Sequence, residues 1–368
     1  MGLRPKGIAG TDDIFGLSEN LFGNAPVDYI LGYKDRDYGW GVYDDFKGWG
    51  IATAQSGGLA YYQSEGNTYR AYEKAGSNAG TRNIVPPTPN NTSYYTIPTG
   101  YPIQLNCAGN YPSPGQTIQY AEGTKLWTPG ELKLGGASSA TSDQASMQLG
   151  PDTATTNICP FSVVPGISGS LLFECRLKIH TGIGPASGST GTGFFIGLVA
   201  SGAAVVDIPV SASVIDATLH KVGFGVRPVT DILNTIQTIY GRTTIKEVAT
   251  PLLTLGATAK ALYPTAVNTG LDAYVKLGFK YDGSSQRFTP YVNGIAQDGA
   301  TGVNQTIGKG VALGVADTTY ATDSAYWPSN PMTLCAGLCH YGALGTFPYV
   351  ELDWWAAVQE PAIGAWGR

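Results

Sequence analysis

The chain has 368 residues, 43% of them apolar, which is enough for one large β-domain or two smaller ones around a real core and excludes a disordered chain. Charged residues reach only 13%, while Gly numbers 50 and Pro 23, a mixture that favours turns and strands over helices. A formal net charge of -5 with no Lys/Arg block offers no cation cluster for phosphates, so neither nucleic acid nor an anionic membrane is expected as a partner.

Residues 1–40 carry no sustained period of 2 or 3.6 and read as an N-terminal arm. The opening "MGLRPKGIAGTDDIFGLSENLF" lacks a basic segment followed by an apolar one, and no apolar run approaches the roughly 20 residues that cross a bilayer. Synthesis in a cytoplasm is therefore expected. "DRDYG", residues 35–39, and Asp44-Asp45 bring carboxylates together without the twelve-residue calcium-loop order, so a solvated acidic turn is expected and no metal.

Residues 41–130 read as a first strand followed by a Tyr/Gly/Pro-rich insertion or small lobe. "NIVPPTPNNTSYYTIPTGYPIQ" and "GNYPSPGQ" predict loops with short edge strands. Long ordered loops are usually functional or ordered by a partner. Tyr33, Tyr38, Trp40, Trp49, Tyr94 and Tyr95 are the candidate interface residues, because Tyr and Trp are enriched where subunits meet. Sugar stacking is the alternative use for such rings, Trp127 and Trp327 included. Their crowding into the first third of the chain, instead of one cluster, favours the interface.

From 131 to 368 the pattern is that of a β-sandwich core. "LLFECRLKIH" places Leu171, Phe173, Cys175, Leu177 and Ile179 on one face and Glu174, Arg176, Lys178 and His180 on the other, which predicts a half-buried strand. "FFIGLVA" is apolar on both faces and suits a central strand. "HKVGFGV" and "AYVKLGFKYDG" alternate again, and the latter leads through Asp282-Gly283 into "QRFTPYVNGIAQDG", where Asn293-Gly294 is a tight-hairpin signal. "VTDILNTIQTIYG" fits both periods. "MTLCAGLCHYG" and "YVELDWWAAVQ" close the series. In the last, simple alternation sets Val350, Leu352, Trp354, Ala356 and Val358 against Glu351, Asp353, Trp355, Ala357 and Gln359, with Asp353 available to an indole N–H. The sum is an all-β, antiparallel β-sandwich with an extended N-terminal arm and a long loop-rich insertion.

Other chemistries find little support. "GIGPASG", residues 182–188, lacks the helix a phosphate loop needs and reads as a hairpin loop. Cys335 and Cys339 lie roughly 13 Å apart if both sit on one strand, too far to bond. With His340 they still lack a fourth zinc ligand. Cys175 reads as a small buried hydrophobe, and Cys107 and Cys159 complete a sparse set of thiols suited to a reducing site of synthesis. His180, His220 and His340 read as polar strand residues. No catalytic residue, metal or cofactor is expected.

The succession "GELKLGGASSATSDQASMQL", "LLFECRLKI", "FFIGLVA", "KVGFGV", "YVKLGFKYDG", "FTPYVNG" and "YVELDWWAAVQEP" resembles the concanavalin A-like jelly roll, in the form found in bacteriophage virion proteins. "YDDF", residues 43–46, resembles that family's opening strand. The resemblance implies a capsid decoration or cement protein at the virion surface, synthesised in the host cytoplasm, homotrimeric and bound to the major capsid protein. The alternative it leaves is a lectin-like host-adhesion protein with a cell-surface glycan as partner, and a glycan hydrolase comes third. Hydrolases of this fold family carry Glu, Asp and a second Glu along one strand. Glu351 and Asp353 match the first two, but Trp355 or Ala356 stands where the second Glu is required. Glu360 is too far along, before Pro361. A retaining mechanism needs two carboxyls about 5–5.5 Å apart, so no enzyme is expected.

Overall fold

The computed structural model describes residues 17–22, 40–44, 161–164, 167–179, 190–200, 220–226, 274–297, 331–341 and 349–361, together with the strand courses 53–54, 59–64, 67–74, 95–96, 103–106, 117–118, 131–135, 144–149, 184–187, 235–241, 248–254 and 307–308. In chain order the strands are β1 (Trp40–Asp44), β2 (Thr53–Ala54), β3 (Leu59–Ser64), β4 (Asn67–Lys74), β5 (Tyr95–Thr96), β6 (Ile103–Asn106), β7 (Thr117–Ile118), β8 (Glu131–Gly135), β9 (Gln144–Leu149) and β10 (Leu171–Ile179). They continue as β11 (Gly184–Ser187), β12 (Thr190–Val199), β13 (Lys221–Val226), β14 (Thr235–Gly241), β15 (Val248–Thr254), β16 (Val275–Asp282), β17 (Arg287–Val292), β18 (Ile295–Ala296), β19 (Ile307–Gly308), β20 (Thr333–Tyr341) and β21 (Tyr349–Gln359). One short helix, α1 (Glu19–Phe22), is present among the described residues.

The pairing is antiparallel and makes two large sheets. The first runs β18-β17-β16-β10-β21-β8-β6, with β1 also on β21 and β19 on β17. The second runs β15-β14-β13-β12-β20-β9-β4-β3-β2, with β11 on β12. This is the expected all-β sandwich. The stretch that fitted both periods contains a strand, β14. "GIGPASG" is more ordered than a hairpin loop: Gly184–Ser187 pair along β12, Gly184 opposite Thr192. Strands from the Tyr/Gly/Pro-rich region enter the large sheets, β4 against β9 and β6 against β8, while β5 and β7 pair with each other.

Side chains from both sheets fill the space between them. Leu171, Phe173, Cys175 and Leu177 of β10 meet Val275, Leu277, Phe279 and Tyr281 of β16 on one side. Phe194, Ile196 and Leu198 of β12, Val222 and Phe224 of β13 and Leu334, Ala336 and Leu338 of β20 come from the other. Phe279 stacks on Phe173 at 5.2 Å between ring centroids, touches Phe288 at 4.8 Å and reaches Phe224 of the facing sheet at 6.2 Å. Every residue from 191 to 200 is buried, as a strand apolar on both faces requires. There the backbones of β12 and β13 approach closely: Gly197, at φ +153°, faces Gly223, and a Cβ on Gly197 would sit 2.4 Å from the Val222 carbonyl oxygen.

Simple alternation fails in β21. Arg176 pairs with Trp354 but Leu177 with Leu352, so Asp353 is an extra residue in the ladder, a β-bulge. Because side chains alternate with period 2, one added residue exchanges the two faces beyond it. Val350 and Leu352 point into the core before the bulge. After it Trp355 and Ala357 do so, and Trp354, Ala356 and Val358 turn outward. The bulge falls where the strand changes its other neighbour, from β8 through Leu352 to β1 from Trp355 onward.

The end of β21 is pinned by Gln359. Its side-chain oxygen accepts the Ser162 amide at 2.8 Å, and its nitrogen donates to the carbonyls of Gly169 and Ser170 at 3.0 and 3.2 Å. Asp44, expected in a solvated turn, is instead fully buried at the end of β1, opposite Trp355. Pairing against β21 carries it under the sheet. Asp45 and residues 35–39 lie outside the described residues.

Candidate functional site

The outer face of the first sheet has two parts, divided at the Asp353 bulge. On one side is a polar cluster. Arg176 Nη1 donates to Asp353 Oδ2, and the guanidinium lies 4.0 Å from the ring centroid of Tyr274, a cation–π contact just ahead of β16. The two charged side chains keep 27% and 13% of their surface, so the pair is open to solvent on one side. Lys276 stands opposite Arg176 in the ladder. Its amide donates to Asn293 Oδ1 at 2.9 Å and its carbonyl accepts the Asn293 amide at 2.8 Å. Asn293 at φ 49° and Gly294 at φ 75° form the two-residue turn that the Asn-Gly dipeptide predicts. Further along β21 the Cα of Glu351 lies opposite those of Lys178 and Lys133.

The other part is apolar and covered. Leu172, Trp354, Ala356, Val358 and Tyr291 pack with Leu17, Leu21 and Phe22 of the N-terminal segment. Glu174, expected on a wetted face, is fully buried beneath that segment, and its Oε2 accepts the Ser18 amide at 2.9 Å. The physical reason is coverage: three apolar side chains of residues 17–22 find an apolar face because the bulge has turned Trp354, Ala356 and Val358 outward. Within the stretch read as an arm, this segment thus folds onto its own sandwich. Gly278 leaves the room it needs, since a Cβ there would stand 2.6 Å from Leu21 Cδ2.

Hydrolysis by a pair of carboxylates finds no second partner at the expected place. Trp355, where the sequence pattern would need the acid, is an indole with no exposed surface inside the core. Asp353 is held by Arg176 and does not serve an indole as expected. The side chain of Glu351 is outside the described residues. An arrangement of guanidinium, carboxylate and aromatic ring can hydrogen-bond and stack.

Of the candidate interface residues, Tyr33, Tyr38, Trp49 and Tyr94 lie outside the described residues. Trp40 opens β1 opposite Gln359 and Tyr95 opens β5, and the side chains of both are likewise outside. Cys175 and Cys335 are buried and take part in no disulfide. Burial pushes the Cys175 thiol well above its ordinary value, with the Glu174 charge adding to the effect. Cys339 and His340 share β20 with Cys335, and His220 is buried just ahead of β13, where its carbonyl accepts the Ala200 amide. His180, Cys107, Cys159, Trp127 and Trp327 lie outside the described residues. Among the described residues no three His, Cys, Asp or Glu side chains gather as a metal would require, and no helix is long and apolar enough to cross a membrane. Arg176 and Tyr274 were not singled out as Asp353's partners by the sequence, and nothing in their spacing announces it.

No family model matches the chain, and no curated protein does. Solved structures similar to it include the carbohydrate recognition domain of Emp47p, at 12% identity over 63% of this chain and 83% of that one, TM-score 0.33. The exoplasmic/lumenal domain of VIP36 is similar at 13% over 64% and 80%, TM-score 0.34. A legume lectin-like domain from Entamoeba histolytica is similar at 9% over 62% and 82%, TM-score 0.32. Likeness at this level carries no weight for function, and the sandwich assignment rests on the strand pairing itself.

Proposed function

We propose that the chain is a non-catalytic recognition protein built on a β-sandwich, with a cell-surface glycan as ligand and the Arg176–Asp353–Tyr274 cluster as its polar anchor. The observation that carries this reading is the partly open ion pair beside an aromatic ring on the outer face of the first sheet. A guanidinium and a carboxylate together offer donors and acceptors in fixed positions, which suits vicinal hydroxyls. A glycan array followed by titration calorimetry tests it. Saturable binding to a cell-wall or cell-surface saccharide, weakened at least tenfold in Arg176→Ala, is expected. A full array without binding refutes it.

A second reading, decoration of a phage capsid against its major capsid protein, is favoured by the composition of residues 1–130, whose Tyr-, Gly- and Pro-rich segments suit extended contacts between subunits. Placement on the virion surface and a homotrimer belong to this reading. Co-sedimentation of the purified chain with undecorated capsids, weakened when Trp40 and Trp49 are both changed to Ala, is the expected result, and free chain at saturating shell concentration overturns it.

A further inference from the structure

We propose that the saccharide recognised at the Arg176–Asp353–Tyr274 cluster is an acidic one, whose carboxylate is taken by Arg176 with Lys276 beside it; the inference rests on the glycan reading above and narrows it. The strand order assembles a cationic site that no run of the sequence contains. Arg176 of β10 and Lys276 of β16 stand directly opposite in the ladder. Side chains at such positions share a face with Cβ atoms about 4.5–5.5 Å apart, and like charges there repel. In the next row Glu351 of β21 has Lys178 of β10 on one side and Lys133 of β8 on the other. These positions carry four cations, Lys133, Arg176, Lys178 and Lys276, against two carboxylates, Glu351 and Asp353, so positive charge stays in excess however they pair. Glu174 is buried beneath the N-terminal segment and Glu19 lies on that segment, while Lys280 and Asp282 follow at the far end of β16 as one charge of each sign. On a chain of formal net charge -5 this is a local inversion of sign, which draws an anion to one place.

What selects a carboxylate is the way Arg176 is held. Nη1 donates to Asp353 Oδ2 and the guanidinium carbon lies 4.0 Å from the Tyr274 ring centroid, so an edge and a face are both fixed. The side chain still keeps 27% of its surface, which leaves part of the planar fork open to a ligand. Parallel N–H donors match the two oxygens of a carboxylate, and such charged contacts are roughly twice as strong as neutral hydrogen bonds. A hydroxyl offers one oxygen and no charge. A ligand carboxylate placed there also meets the Asp353 charge, and Lys276, opposite Arg176, offsets that repulsion. With the ligand bound, Arg176 and Lys276 face Asp353 and the incoming carboxylate, one acid for each cation. A neutral saccharide leaves the imbalance in place. Like charges set opposite each other break the usual cross-strand pairing rule, and functional sites are where such breaks are expected.

The test compares saccharides that differ in the acid alone. An array of neutral and carboxylated saccharides, each carboxylated one beside its methyl ester and a sulfated counterpart, is probed with the full-length chain, and the strongest ligand is then titrated by calorimetry. The acid is expected to bind about tenfold or more tighter than its ester, which keeps every hydroxyl, and to weaken as salt is raised. Lys276→Gln is expected to lower affinity for the acid about threefold or more and to leave that for the ester unchanged. The Lys276 contacts to Asn293 are made by its backbone, so the substitution spares that turn. Should the variant fail to fold, the comparison of acid with ester on the wild-type chain decides alone. Equal affinity for acid and ester, or preference for a neutral saccharide, overturns the inference and leaves the glycan reading standing. Preference for the sulfated counterpart overturns the choice of a carboxylate. An array silent throughout, neutral saccharides included, refutes both.

Discussion

Replacing Trp355 separates a bulged β21 from an evenly alternating one. With simple alternation, position 355 shares the outer face with Asp353, and a Glu there costs little. With the bulge, Trp355 is wholly enclosed among Cys175, Leu177, Leu352 and other core side chains. Trp355→Ala then removes an aromatic side chain from a packed interior, a loss of about 3–5 kcal/mol. At about 2–4 °C per kcal/mol for a large domain, the melting temperature falls about 6–20 °C. Trp355→Glu adds an unpaired buried carboxylate, several kcal/mol more, which brings the total close to the roughly 5–15 kcal/mol by which domains are stable at all. Thermal and urea unfolding followed by circular dichroism measure both, with Ile295→Ala as a control at a half-exposed site. Folded Trp355→Glu melting within about 2 °C of wild type would refute the inward assignment, and with it the argument that an acid cannot be accommodated at that place in the strand.

Four more outcomes follow from named contacts. Gly197→Ala is expected to destabilise by about 2 kcal/mol or more, because its Cβ meets the backbone of Val222 and Gly223 at a positive φ; a chemical denaturation curve unchanged from wild type contradicts it. Gln359→Leu abandons the Ser162 amide and two carbonyls and is expected to cost about 1–3 kcal/mol, read as a shift in urea midpoint at constant slope. A double-mutant cycle on Arg176→Met and Asp353→Asn is expected to give a coupling of about 0.5–1 kcal/mol that shrinks in high salt, since both groups keep contact with water; a salt-independent value contradicts a half-open pair. Burial, aided by the Asp282 charge, pushes the Tyr281 phenol up to about 12. The unfolded phenol ionises near 10, so this contribution to stability is complete below that pH and is lost as pH rises from about 10 to 12. Alkaline titration of melting temperature is expected to show a shallower fall in Tyr281→Phe than in wild type.

Local pattern made much of the sandwich legible. The core-facing residues of β10 and β16 are as read, β12 is buried on both faces, and Asn293-Gly294 turns where the dipeptide predicts, because each of these depends on neighbours within a few residues; β13, read as alternating, is buried at every residue, Lys221 included. What escaped depends on distant ones. A bulge at Asp353 is decided by two different strands sharing one edge of β21, and the sequence "VELDWWAAVQ" looks the same with or without it. Glu174 reads as a surface residue until α1 lies over it, and Asp44 reads as part of an acidic turn until β1 pairs with β21. The polar cluster is similarly hidden. Arg176 and Asp353 are 177 positions apart, and only the strand order β16-β10-β21 brings them together with Tyr274.

The same strand order bears on how tightly the polar cluster would bind the proposed ligand. Two outward charges of β10 are engaged within the chain, Glu174 with the Ser18 amide and Arg176 with Asp353. A saccharide at Arg176 must therefore share the guanidinium's remaining donors or displace Asp353, and displacement leaves a carboxylate that keeps only 13% of its surface. Either route subtracts from the gain of each new hydrogen bond, which points to weak binding at a single site. Weak sites become effective when several copies engage one surface, because the second contact forms at a high local concentration. On that face Glu174, which anchors the N-terminal segment, and Arg176, which would meet the ligand, are two residues apart on β10. The bulge makes this division possible by giving β21 an apolar outer half to hold the segment and a polar one left open beside it.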